Sequence, residues 1–313
     1  MNRSQLIITG SLFVATVGVG SARVASQTSA PTFKSGIDLV RVSAIVRDHK
    51  GRFVQDLSSR DFEILDEGRP RPVADFRREL AGVSVALLFD VSGSMEGNLP
   101  RAREAATHLL SWLEPTSDEA AIFTFDTQLE EVAPFATGLR TLPESMSTVV
   151  PFGATSLHDA IARTAGRIGR REGRRRAVVV FTDGHDNASR LAPDEVSSIA
   201  SAIDVPVYLF GAVPAIDNPL TEFSATDGRS SFAGPLSDLA TRTGGHTFLA
   251  STPAAQSAAA RQIVEELRHQ YLIAFESSGN PGWHPLVVRA RGKDLIVRAR
   301  NGYVSGQSRP NLD

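Results

Sequence analysis

The strongest structural signal in this chain is the sequence Val83-Ser-Val-Ala-Leu-Leu-Phe-Asp-Val-Ser-Gly-Ser94. It opens with a nearly continuous apolar run, from Val83 to Phe89, which is typical of a parallel strand covered on both faces. Polar residues follow immediately, beginning with Asp90. In open α/β sheets, ligands bind outside the carboxyl ends of the strands. The stretch therefore predicts a buried strand that leads into a functional loop.

Strands alternate with helices on both sides of this stretch, from about residue 81 to 275. Four more strands are predicted, at 121–125, 177–181, 205–210 and 246–249. Apolar residues three and four apart predict helices over about 99–113, 157–168 and 193–203, and one ending near His269. We expect Trp112 to lie in the core and residues 213–236 to form a long surface loop. The alternation predicts an α/β fold with a Rossmann-like, doubly wound, mostly parallel sheet.

Two β-rich segments flank this core. Residues 34–80 begin with a period-two alternation at Ile37 to Val46, and residues 271–305 contain three short apolar runs between glycine-rich turns. We expect these N-terminal and C-terminal segments to pack together as one small β module beside a core domain of residues 81–270.

The N-terminus has the layout of a secretory signal peptide. Arg3 precedes an apolar run from Leu6 to Val19, and small residues follow it. An uncleaved membrane anchor is the alternative, but the run is shorter than the roughly 20 residues of a spanning helix. We predict that residues 1–26 are removed, which leaves a secreted or periplasmic protein without a stable membrane span.

Composition excludes several classes of protein. The 313 residues contain 33 Lys plus Arg and 35 Asp plus Glu, a net charge of −2, so nothing global indicates nucleic-acid binding. Cysteine is absent, which excludes disulfides, thiolate metal sites and a cysteine nucleophile. Hydrophobic residues make up 42%, as in globular proteins.

Polar residues converge where the predicted sheet presents its strand ends. Asp90, Ser92 and Ser94 follow the first strand, Thr155 precedes the helix near 157, and Asp183 follows the strand at 177–181. Together they form an all-oxygen donor set, which suits a hard cation such as Mg²⁺. Few of the donors are anionic, so the ion would stay able to accept a carboxylate from another molecule. From the residues alone, we expect Asp90 to bind it directly.

These residues resemble the metal-ion-dependent adhesion site of the von Willebrand factor type A (VWA) family, D-x-S-x-S … T … D. The resemblance covers about residues 81–270 and implies Mg²⁺ or Mn²⁺. It implies that Ser92 and Ser94 ligate directly, Thr155 directly or through water, and Asp90 and Asp183 through water or hydrogen bonds. It also implies a non-enzymatic protein-binding module for adhesion or scaffolding, whose partner presents Asp or Glu.

The flanking segments look like those of a bacterial, exported VWA-related subgroup. The similar features are the strand-like Val42-x-Ala-x-Val46, the turn Asp66-Glu-Gly68 and the closing Arg298-x-Arg300-x-Gly302-Tyr303. They imply the same placement of the two β segments around the core.

Two other functions stay open for the same site. One is a metal-dependent hydrolase for phosphoryl or acyl groups, with His185 as its base; the sequence contains no P-loop and no G-x-S-x-G motif. The other is a structural or sensing module in which the metal has no role.

Neighbouring residues also allow two interpretations. The arginine run from Arg163 to Arg176 is either a solvated helix face or a patch for a polyanion or anionic lipid. Ser156-x-x-Asp159 resembles a capping box, and Asp186 is either an exposed loop residue or one that orients a metal-bound water.

Overall fold

A computed structural model describes most of the chain from residue 39 onward. The described residues are 39–78, 82–171, 173–202, 204–211, 232, 234–292 and 294–306. The predicted signal peptide and most of the predicted loop at 213–236 lie outside them. Within these ranges, no helix has both the length and the apolar character needed to cross a membrane.

Four short strands come first. They are β1 (Leu39–Arg47), β2 (Phe62–Asp66), β3 (Arg69–Arg71) and β4 (Val73–Arg77). Strands β2 and β3 pair antiparallel through a tight turn at Glu67 and Gly68, both of which have positive φ. Glycine adopts this left-handed conformation without a steric penalty, which explains the Asp66-Glu-Gly68 turn.

A six-stranded sheet forms the centre of the fold. Its strands are β5 (Val83–Asp90), β6 (Glu119–Phe125), β7 (Leu129–Thr137), β8 (Arg175–Thr182), β9 (Val207–Gly211) and β10 (Thr247–Leu249). The order is β10-β9-β8-β5-β6-β7. All neighbours pair parallel except β7, which runs antiparallel to β6 at one edge. This arrangement confirms the predicted mostly parallel α/β sheet.

Helices cover both faces of this sheet. They are α1 (Leu99–Trp112), α2 (Ser145–Thr148), α3 (Leu157–Gly169), α4 (Pro193–Ala202), α5 (Pro235–Arg242) and α6 (Pro253–Arg268). Alternate residues of β5 pack on opposite faces: Val85, Leu87 and Phe89 lie in the core with α1 and α6, whereas Ala86 and Leu88 lie in the core with α3, α4 and α5. Burial on both faces explains why β5 reads as one apolar run.

The chain ends with four more strands, β11 (Tyr271–Glu276), β12 (Gly282–Ala290), β13 (Ile296–Ala299) and β14 (Gly302–Ser305). They combine with the first four into two sheets, β13-β1-β11-β4 and β14-β12-β2-β3. A shared core that includes Val42, Phe62, Ile273 and Tyr303 lies between them. The N-terminal and C-terminal segments therefore form one β module, as predicted. The boundaries at residues 80 and 270 are not tested by this arrangement and stay predictions.

Three features differ from expectation. Strand β7 was missed because an edge strand with Glu130, Glu131 and Pro134 carries no apolar run. Helix α5 begins at Pro235, so the end of the expected loop is helical. Trp112 is 39% exposed, because it ends α1 at the surface, where the Arg261 guanidinium lies 5.4 Å from its ring centre.

Candidate metal centre

The predicted site residues lie where the strand order reverses. From β5 the chain passes to β6 on one side and later to β8 on the other, so β5 and β8 are neighbours with a crevice at their carboxyl ends. Phe89 pairs with Phe181, which brings Asp90 beside Thr182 and Asp183. Ligands of open α/β sheets bind at this topological switch point.

The loop after β5 folds its polar side chains around the Asp90 carboxylate. Oδ1 of Asp90 accepts hydrogen bonds from the Ser92 hydroxyl at 2.6 Å and the Ser92 amide at 3.0 Å. Oδ2 accepts from the Thr182 hydroxyl at 2.7 Å. The hydroxyl oxygens of Ser92 and Ser94 are 3.2 Å apart. Both Asp90 oxygens are thus already engaged, which fits an indirect role for Asp90 better than the direct ligation expected from the residues alone.

Negative charge is concentrated at this point. Asp90 is fully buried and Asp183 is 6% exposed. Burial raises the pKa of Asp90 from 3.8 to about 6 against the hydrogen bonds from Ser92 and Thr182, which lower it, and the charge of Asp183 raises it further. Two carboxylates close enough to interact in a buried crevice favour a bound cation.

Thr155 lies on the 149–156 loop, which is hydrogen-bonded to the loop after β5. The Gly93 amide donates to the Gly153 carbonyl at 3.1 Å, and the Phe152 amide donates to the Val91 carbonyl at 2.9 Å. Thr155 itself is buried. These bonds bring the 149–156 loop against the loop of Ser92 and Ser94.

The loop after β8 is fastened to Thr155 by Asn187. The Thr155 amide donates to the Asn187 side-chain oxygen at 2.8 Å, and the amides of Asn187 and Ala188 donate to the Thr155 carbonyl at 3.0 Å. Asn187 therefore joins the second and third elements of the motif. Sequence reasoning missed it, because a single Asn after Asp183 carries no recognisable pattern.

The same loop caps helix α3. The amide of His158 donates to Asp186 at 2.9 Å, and that of Asp159 donates to the Ser189 hydroxyl at 3.1 Å. Ser156 is the N-cap residue of α3 but makes no side-chain capping bond, so the capping box that Ser156-x-x-Asp159 resembles does not form. The Asp159 carboxylate instead accepts from the amides of Arg190 and Leu191.

Asp186 has a structural role in this arrangement. Its carboxylate also lies 3.0 Å from Nδ1 of His158. Burial raises the pKa of Asp186, but the hydrogen bonds from Ser189 and His158 outweigh it and lower that pKa. Asp186 is therefore more than an exposed loop residue. Among the described residues, its hydrogen bonds go to α3 and to its own loop, not to the candidate metal centre.

The donor set fits a hard divalent cation. Among the described residues, no cluster of three or more His, Cys, Asp or Glu residues could hold a metal. The candidate centre instead combines two carboxylates with the hydroxyls of Ser92, Ser94 and Thr155. Mg²⁺ and Mn²⁺ prefer oxygen ligands of this kind.

Solved structures resemble the chain at low identity. An aerotolerance-related membrane protein from Bacteroides fragilis is 18% identical over 59% of this chain and 98% of that chain, with a TM-score of 0.45. A von Willebrand factor type A structure from Catenulispora acidiphila is 14% identical over 78% and 73%, with a TM-score of 0.46. Proximal thread matrix protein 1 from the mussel byssus, with a zinc-occupied MIDAS motif, is 17% identical over 65% and 50%, also at 0.46.

No curated protein matches the chain in sequence. The von Willebrand factor type A domain matches residues 85–185, which contain most of β5, all of β8 and all five predicted site residues. VWA domains are commonly protein-interaction modules. This match supports a VWA domain at residues 85–185, and the sheet with its switch point agrees with it.

Proposed function

We propose that this chain binds Mg²⁺ or Mn²⁺ through Asp90, Ser92, Ser94, Thr155 and Asp183, and that the bound ion captures an acidic side chain of a protein partner. The observation that carries the proposal is the Asp90 carboxylate, whose pKa burial raises to about 6, with the paired hydroxyls of Ser92 and Ser94 next to it.

The residues of the site have different roles in the proposed binding of the ion. The neutral hydroxyls of Ser92, Ser94 and Thr155 supply oxygens without cancelling the charge of the ion. Asp90 orients Ser92 and Thr182 by accepting hydrogen bonds from their hydroxyls. Bound there, a divalent cation supplies an electrophilic centre that an outside carboxylate completes. A carboxylate oxygen is a stronger ligand than water, so the partner is selected for Asp or Glu.

An apolar rim beside the site adds specificity. Phe152 is 82% exposed and Val150 is 79% exposed, although both belong to the loop bound to Val91 and Gly93. The Arg103 guanidinium also donates to the Val149 carbonyl at 2.9 Å. Rigid, exposed apolar side chains are typical anchors of protein interfaces. We therefore expect the captured acidic residue to lie beside an apolar one.

Calorimetric titration with Mg²⁺ tests the metal site. The wild-type protein should give saturable binding, and Ser92→Ala should weaken it at least about tenfold, the scale of losing a metal-site interaction. Ser198→Ala is the matched control, because Ser198 lies on α4 and donates to a helix carbonyl. Equal Mg²⁺ binding by the wild-type and Ser92→Ala proteins would reject the assignment.

A peptide array tests capture of an acidic group. Each peptide carries Asp, Glu, Asn or Gln at its centre, with an apolar or a glycine neighbour. We expect the protein to bind acidic peptides in Mg²⁺ and to lose them in EDTA, with the best binding where an apolar residue adjoins the acid. Retention of the same peptides in EDTA would favour a module in which the metal has no role.

Export is the second part of the proposal. It rests on the N-terminal charge, apolar run and small residues described above. N-terminal sequencing of the protein recovered from the envelope or medium should begin near residue 27. An intact N-terminus embedded in the membrane would instead support an anchor.

The hydrolase remains an alternative that we do not propose. His185 is exposed, and its Nδ1 lies 3.2 Å from Oδ1 of Asp183. A base in this position is not by itself evidence of turnover. Metal-dependent hydrolysis of phosphate or ester substrates, abolished in His185→Ala, would revive this interpretation.

A further inference from the structure

A groove separate from the five predicted metal-site residues runs along α3 at the edge of the central sheet. Its volume is about 560 Å³. One wall carries four arginines: Arg163, Arg167, Arg170 and Arg171. The floor includes Leu129 and Phe135 of β7, which are only partly buried against the core. The groove arises because α3 packs on β5, β6 and β8, while β7 extends beyond them as the edge strand.

The groove has a surplus of positive charge. Its lining contains four guanidinium groups and one carboxylate, that of Glu131. Arg171 is held by the buried Glu119 at 2.6 Å. Arg167 pairs with Glu131 at 3.2 Å, but both side chains are more than 40% exposed, and exposed pairs exchange readily for other partners. Arg163 makes no hydrogen bond or ion pair with any residue the structure describes.

The last three arginines of the basic run make different contacts. Arg174, Arg175 and Arg176 each donate to a backbone carbonyl, those of Ser117, Arg78 and Gly169. The run is therefore neither one solvated helix face nor one continuous patch. Only its first part lines the groove.

We propose that this groove binds an acidic peptide segment of a protein partner. Arg163 and Arg167 lie four residues apart on α3, about 6 Å along the helix axis. Alternate side chains of an extended peptide are about 7 Å apart, so carboxylates at alternate positions match the arginines. Guanidinium groups bind carboxylates in a bidentate geometry. The floor at Leu129 accepts an apolar side chain of the same segment.

The aromatic ring in the groove lining disfavours nucleic acid. The Arg171 guanidinium lies 5.2 Å from the centre of the Phe135 ring and covers it. Nucleic-acid grooves of this kind gain affinity when bases stack on open aromatic faces. A bilayer surface is nearly flat over the width of this groove, so it does not fit into a concave site.

Fluorescence anisotropy in EDTA tests the proposal without any contribution from the metal site. The probe is a labelled ten-residue peptide with Glu at alternate positions and two Leu residues. We expect saturable binding that weakens between 50 and 300 mM salt, roughly as screening of exposed charges predicts. Arg163→Glu should weaken it severalfold, and Arg163→Glu with Arg167→Glu at least about tenfold.

The matched control is Arg60→Glu, the same charge change at an exposed arginine of the β module. Arg163→Glu alone suffices if the double variant fails to fold, because Arg163 is exposed and unpaired among the described residues. Equal weakening by Arg60→Glu, or equal binding of a peptide with Gln in place of Glu, would overturn the proposal. So would tighter binding of single-stranded DNA, heparin or phosphatidylglycerol vesicles that the Arg163→Glu variant loses.

Discussion

Two buried charge clusters in this chain are built in opposite ways. In the α6 ion cluster, the fully buried Glu266 contacts Arg47 of β1 at 2.9 Å and Arg298 of β13. At the candidate metal centre, Asp90 accepts hydrogen bonds from hydroxyls and an amide, and Asp183 adds a second negative charge. One cluster contains its counter-charges, whereas the other surrounds a buried carboxylate with uncharged hydrogen-bond donors. The difference separates a site that holds the fold together from the site that we propose binds an ion.

A second buried pair follows the balanced pattern. Arg300 of the β module lies 3.7 Å from Asp204 of the central domain, which also accepts a hydrogen bond from the Ser43 hydroxyl at 2.9 Å. Both balanced clusters join the β module to the central domain. A buried group left without its partner is strongly destabilising, so these junctions are sensitive to substitution.

The largest expected effect comes from unbalancing the α6 ion cluster. Glu266→Ala leaves Arg47 and Arg298 without their shared carboxylate and should lower the free energy of unfolding by about 3–5 kcal/mol. Urea denaturation measures it. The neighbouring Glu265→Ala is the control, because its exposed pair with Arg261 is worth less than about 1 kcal/mol. Equal losses in the two variants would contradict the comparison.

The metal centre should respond to pH in EDTA. The pKa of Asp90 is higher in the folded state, at about 6, than its ordinary value of 3.8. Stability from the protonated carboxyl is fully present below about pH 4. It is lost as the pH rises through about 6, by about 3 kcal/mol at 1.36 kcal/mol per pKa unit.

Asp90→Asn isolates this contribution, because it removes the charge and keeps a side chain that can hydrogen-bond to Ser92 and Thr182. The variant should equal wild type near pH 4 and be the more stable protein at pH 7.5, with Mg²⁺ binding lost. Urea denaturation across this pH range measures the difference. Parallel pH curves for the two proteins would show that the charge is already compensated.

Asn187→Ala tests whether the loops of the metal centre are prearranged. It removes the acceptor of the Thr155 amide, so we expect about 1–2 kcal/mol of lost stability and about tenfold weaker Mg²⁺ binding. Asn301→Ala, at an exposed position of the β module, is the control. Unchanged Mg²⁺ affinity in Asn187→Ala would mean that Thr155 is held in place without this bond.

Phe152→Ala should have the smallest effect on the fold. The side chain is 82% exposed, so its removal should change the free energy of unfolding by less than about 0.5 kcal/mol. Mg²⁺ affinity should stay constant, while affinity for acidic peptides with an apolar neighbour falls. Val287→Ala, 45% exposed on β12, is the control. Undiminished peptide binding by Phe152→Ala would remove the apolar rim from the proposal.

The sequence predicted the parts of this molecule that depend on local pattern. The apolar run of β5 and the polar residues after it indicated both the sheet and the position of Asp90, Ser92 and Ser94. Contacts between distant residues could not be predicted in the same way. The hydrogen bond of Thr182 to Asp90 depends on the order of the strands in the sheet. The hydrogen bond of Asn187 to Thr155 depends on two loops that are 32 residues apart in the chain. The groove could not be predicted from the sequence either, because it depends on the edge strand β7.

The pairing of β1 has a consequence for how the chain reaches its folded state. Val42 pairs with Ile273 and Ala44 with Ala299, so the first described strand finds both its neighbours more than 200 residues later. Contacts this distant in sequence slow folding, because a long loop must close before they form. During synthesis β1 is made long before β11 and β13. Until those strands are made, its apolar side chains are exposed and can associate with other chains. The first strand that the structure describes is thus among the last to find its partners.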